Sequence, residues 1–101
     1  MRLSTPQIEA IVSTARAVAG ADAQVRLFGS RLRDDVRGGD IDLLVECPQP
    51  VDRPVWLAAQ LTAKLQRALG ERRIDVHVVG PGMALEPVHL AARAEGRLLT
   101  A

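Results

Sequence analysis

The chain is 101 residues long, 48% hydrophobic and 25% charged, with a net charge of +1, which predicts one globular domain (residues 1–101) around a single modest core. With that near-neutral balance and only Phe28 and Trp56 as aromatic residues, the chain lacks both the basic excess of a duplex binder and the stacking platforms of a single-strand binder, so direct nucleic-acid binding is not expected. A lone Cys47 excludes an internal disulfide or a cysteine-built zinc site; no apolar run approaches the ~18 residues of a membrane span and no secretory pattern opens the chain, so a cytoplasmic protein without a membrane partner is expected.

The first predicted element is a helix. Ser4 followed three residues later by Gln7 forms a capping box, with Pro6 in the first turn. Ile8, Ile11, Val12, Ala15, Val18 and Ala19 then recur at helical spacing up to Gly20. Gln24 to Phe28 reads as a short strand running into Gly29-Ser30, and residues 31–39, rich in charge and glycine, read as a helical turn plus loop. Asp40 to Glu46 is the second strand, ended by Cys47-Pro48-Gln49-Pro50. Asp52 and Pro54 open a second helix whose apolar stripe is Leu57, Leu61, Leu65, Ala68 and Leu69, closed by Gly70. Arg73 to Val79 is a third strand, with Ile74, Val76 and Val78 on one face and Asp75 and His77 on the other. After the turn Gly80-Pro81-Gly82, Pro87 opens a last helix to about Glu95, and Arg97 to Thr100 adds an edge strand. The order describes a compact α/β or α+β layer: a small mixed sheet packed with helices.

Chemistry concentrates in three places. Gly29 lets a backbone approach a phosphate closely, and Ser30 can donate its hydroxyl and cap the following turn. Arg31 and Arg33, within a cluster that includes Arg26 and Arg37, can add charge-assisted contacts to a triphosphate. Asp40 and Asp42, spaced by two in a strand, point the same way and repel unless a cation sits between them. Asp75 repeats the situation in the third strand. Three such carboxylates on neighbouring strands can hold two magnesium ions about 3.5–4 Å apart, the clamp used for in-line displacement at phosphorus. His77 shares a face with Asp75 but reads as a partly buried structural residue. His89 reads as a surface or partner-facing residue, Trp56 as core or interface, Cys47 as a small hydrophobe, and Arg72-Arg73 as a solvated pair. The apolar stretch from Met83 to Leu90 reads as part of a partner surface.

Gly29-Ser30, nine intervening residues, Asp40-Ile41-Asp42-Leu43-Leu44-Val45 and a later Ile74-Asp75-Val76 together resemble the minimal nucleotidyltransferase domain of the DNA polymerase beta-like nucleotidyltransferase superfamily. The likeness spans nearly the whole chain. It departs from the family pattern of Gly-Ser, about ten residues and Asp-x-Asp by a loop one residue shorter, a difference that Gly38-Gly39 can absorb. The resemblance implies a nucleotidyltransferase-like fold, with Gly29 and Ser30 on the phosphates of an ATP donor. It implies Asp40 and Asp42 on both Mg2+ ions, and Asp75 on the catalytic ion and helping to deprotonate the attacking hydroxyl. Larger members append a helical domain that selects the acceptor; here a second protein is expected to supply that part.

Solitary domains of this kind resemble antitoxins paired with HEPN ribonuclease toxins, onto whose tyrosines they transfer AMP. The expected partner is therefore a HEPN-type toxin, with the acceptor tyrosine on that partner because this chain has none. Two alternatives stand beside this expectation. One is a catalytically inert module that neutralises its partner by contact. The other is a transferase acting on a small hydroxylated molecule.

Overall fold

The computed structural model describes residues 3–29, 41–70 and 72–100. Among them three helices and four strands follow the order α1 (Thr5–Ala19), β1 (Gln24–Phe28), β2 (Ile41–Glu46), α2 (Pro54–Leu69), β3 (Ile74–Val79), α3 (Pro87–Glu95) and β4 (Arg97–Leu99). The fold is α+β.

The expected capping box starts α1: the Gln7 Oε1 accepts from the Ser4 N–H at 2.8 Å, and the Ser4 Oγ accepts from the Gln7 N–H at 3.3 Å. Ile11, Val12 and Ala15 then turn one buried stripe toward the sheet. Ser4→Ala is expected to cost about 1 kcal/mol, seen as a melting temperature lower by roughly 4–8 °C in a domain of this size. Pro54 takes the first position of α2, but the residue before it is Arg53 and no side chain caps that end. Asp52 therefore does not serve as the predicted opener. Within α2, Leu61 and Leu65 are buried and Leu57 and Leu69 half-buried, while Ala68 faces out.

The strands form one mixed sheet in the order β3-β2-β1-β4. β1 pairs antiparallel with β2 and with β4, and β2 pairs parallel with β3 across the α2 crossover. The central strand explains the apolar run of Leu43, Leu44 and Val45. Ile41, Leu43 and Val45 pack against α1 and α2 in the main core, and Leu44 packs with Val79, Ala92, Phe28 and Leu85 under α3. Helices thus cover both faces. Glu46 clamps the α3 side: its carboxylate accepts from the Arg26 Nε at 2.7 Å and from the Arg93 Nε at 2.9 Å. No helix among the described residues is long and apolar enough to cross a membrane.

Two expectations are corrected here. His89 is buried, 8% exposed, rather than on the surface. Its Nδ1 accepts from the Glu86 N–H at 3.1 Å, so the imidazole does at the start of α3 what Gln7 does at the start of α1. For Trp56, expected in the core or at an interface, only the core half is corrected: it is 59% exposed, because it lies on the outer side of the first turn of α2.

Candidate active site

Alternation along β2 and β3 turns Asp42 and Asp75 to the face on which α3 lies, opposite the α1/α2 core. The parallel register makes them direct neighbours, Asp42 opposite Asp75, and the antiparallel register places Phe28 opposite Asp42 from the other side. Phe28 leads straight into Gly29. The end of β1, the start of β2 and the start of β3 therefore meet at one corner of the sheet.

Gly29 has φ +77°, a left-handed conformation that costs an L side chain roughly 1–2 kcal/mol. A Cβ built on it would stand 2.5 Å from the Oδ2 of Asp42 and 3.2 Å from its Cγ. Only glycine fits: the bend lies directly against the carboxylate. Asp42 is half-buried, whereas the Asp75 side chain is 46% exposed and lies 3.6 Å from the Nε of the still more exposed Arg73. Such an open ion pair is weak and screened, so it offers little competition to a multivalent cation. Arg73 thus faces solvent as expected, while Arg72 is half-buried with Nη1 enclosed.

Asp42 and Asp75 stand in direct register on strands about 4.8 Å apart, a backbone spacing that two carboxylate bonds of about 2 Å to one hard cation would span. Oxygen donors of this kind suit magnesium, so the residues present fit the ion. Among the described residues no group of three or more His, Cys, Asp or Glu side chains gathers for a metal; Asp42 and Asp75 are a pair. Asp40, Ser30, Arg31 and Arg33 lie outside the described residues, as do the turn expected over residues 31–39 and the glycines Gly38-Gly39.

Behind the carboxylates runs a column of rings that sequence reasoning missed. The His77 ring centroid is 5.8 Å from that of Phe28 and 5.6 Å from that of His89, edge-on. The capping bond to Glu86 holds His89 in place, and His89 in turn backs His77, two residues along β3 from Asp75. The spacing Glu86-Pro87-Val88-His89, a capping box with histidine in the glutamine position, was the available signal. At the other end of β2, burial raises the Cys47 thiol above its usual range, which keeps it a neutral apolar filler.

A family model described as nucleotidyltransferase domain matches residues 7–97. No curated protein matches the chain. The matched segment runs from the first turn of α1 to β4 and so includes every strand that meets at the corner formed by Gly29, Asp42 and Asp75.

Proposed function

The chain belongs to the nucleotidyltransferase domain family, and from that premise we propose that it transfers AMP from ATP to a hydroxyl group on a partner protein. The observation that carries this reading is the direct register of Asp42 and Asp75 beside the glycine bend. In this reading Asp40, Asp42 and Asp75 would hold Mg2+. Bound there, the metal would neutralise the triphosphate and stabilise the charge of an in-line displacement.

The chain's own residues divide the remaining work. Gly29, with no side chain, lets the backbone come close to the phosphates, and Ser30, Arg31 and Arg33 follow it in sequence to meet their negative charge. Asp75, the more open of the two described carboxylates, takes the proton of the acceptor hydroxyl. That oxygen forms a bond to the α-phosphorus, the bond from the α-phosphorus to the bridging oxygen breaks, and pyrophosphate leaves with the electron pair. The stack of half-buried Phe28 and His77 on buried His89 backs the sheet corner, which helps to hold the reacting groups in line.

The acceptor is proposed to be a tyrosine of a HEPN-type toxin, making this chain an antitoxin acting in the cytoplasm. Incubating the protein with ATP labelled at the α-phosphate, magnesium and the product of the adjacent gene tests both parts. Label is expected on the partner, removed by Asp40→Ala or Asp42→Ala. Neutralisation that persists in those variants without any labelled product would replace catalysis with binding alone.

A further inference from the structure

Strand β3 is an edge of the sheet, and its outer side is addressed by alternate residues. The Ile41 N–H donates to the Arg73 carbonyl at 2.9 Å and the Cys47 N–H to the Val79 carbonyl at 2.8 Å. In a parallel ladder this turns the backbone groups of residues 73, 75, 77 and 79 toward β2. The N–H and C=O groups of Ile74, Val76 and Val78 therefore point away from the sheet, and among the described residues no strand pairs with them.

That edge is the floor of a cleft of about 390 Å3. Pro54, Val55 and Ala58 at the start of α2 make one wall, and Met83, Glu86 and His89 make the other. Val55 is 83% exposed and Trp56 beside it is 59% exposed, an apolar rim on a helix end that nothing in the chain covers among the described residues. Among the described residues, Glu86 is the one acidic or basic (Asp, Glu, Lys, Arg) side chain in the cleft lining.

We propose that this cleft binds an extended segment of the partner polypeptide, which adds a strand to the open edge of β3 and sets a basic side chain against Glu86. The backbone itself specifies the occupant. A row of outward donors and acceptors at alternate residues is matched by another strand, and not by a helix, whose own amides are already paired. Side chains of the added strand alternate between the two walls, apolar ones against Val55 and Ala58 and the basic one toward Glu86. Because Asp75 lies on the same strand as Val76 and Val78, a segment seated here is carried up to the carboxylate corner. The inference thus deepens the proposed function by giving the acceptor-bearing partner its docking site.

The test needs neither nucleotide nor metal, so its failure is separate from a failure of catalysis. The isotopically labelled full chain is titrated with a short capped peptide of alternating Val and Thr carrying one central Lys, and amide exchange is followed by NMR. Exchange at Val76 and Val78 is expected to slow about tenfold or more, with the amides of Asp75, His77 and Val79 unchanged. Val76→Pro removes an outward N–H while sparing the ladder to β2, and is expected to abolish the slowing. Glu86→Gln, or Glu in place of the peptide's Lys, is expected to weaken binding severalfold. Unchanged exchange at Val76 and Val78 would overturn the proposal. So would concentration-dependent self-association of the wild type that Val76→Pro abolishes, since the edge would then belong to a second copy.

Discussion

Asp42→Asn is expected to lower nucleotidyl transfer by about 10³-fold or more, equivalent to roughly 4 kcal/mol of transition-state stabilisation. The substitution keeps the shape of the side chain and removes its charge. Asp42 sits between Phe28 and Asp75 in the register of the sheet, so losing that charge leaves Asp75 without its neighbour for holding a divalent cation. The larger of the two core clusters lies on the other face, with Ile41, Leu43 and Val45, and the fold is expected to survive.

Two measurements separate these effects. In the wild type, magnesium with a non-hydrolysable ATP analogue at a hundred times Kd is expected to stabilise the native state by about 2.7 kcal/mol, a rise in melting temperature of roughly 10–20 °C. In Asp42→Asn that rise is expected to vanish while the ligand-free melting curve stays cooperative. Turnover within a few fold of wild type in the variant would show that the carboxylate pair is not the metal site.

Gly29→Ala is expected to lower turnover about 10²-fold and to destabilise the fold by about 1–2 kcal/mol. Two separate costs combine. The left-handed backbone at φ +77° strains any L residue by the latter amount. The new methyl also meets the Asp42 Oδ2 at 2.5 Å, so either the carboxylate swings aside or the end of β1 withdraws. A shift of the order of 1 Å in a reacting group costs about 10²-fold in rate.

Gly20→Ala supplies the control. Gly20 has φ +115° and no atom within 4 Å of a built Cβ, and it caps α1 rather than touching the site. It is expected to lower the melting temperature comparably and to leave turnover intact. Equal losses of turnover in the two variants would assign the Gly29 effect to stability and not to the carboxylate.

Local pattern carried most of the elements. The Ser4 and Gln7 box, the helical spacing from Ile8 to Ala19, and the alternation Ile74-Asp75-Val76-His77-Val78 each state their structure within a few residues. The errors fell where burial depends on distant chain. His89 is buried because α3 folds back over the sheet and sets the imidazole edge-on to His77. Trp56 is exposed because the packed side of α2 is taken by Leu61 and Leu65.

The amino-acid order alone determined that Asp42 and Asp75 each stand on the opposite strand face from their branched apolar neighbours, since a period of two leaves no other arrangement. It also determined that a glycine bend ends the first strand. The tertiary structure decided that these two carboxylates are neighbours: residues 33 apart in sequence meet only because β3 returns parallel to β2 in one register, and a slip of one residue would turn Asp75 into the core. It decided as well that, among the described residues, β3 lies at the edge, with the backbone N–H and C=O groups of Val76 and Val78 turned away from β2. Strand order and register are settled by the packing of whole helices against whole sheet faces, an energy summed over many distant pairs that no short stretch of residues contains.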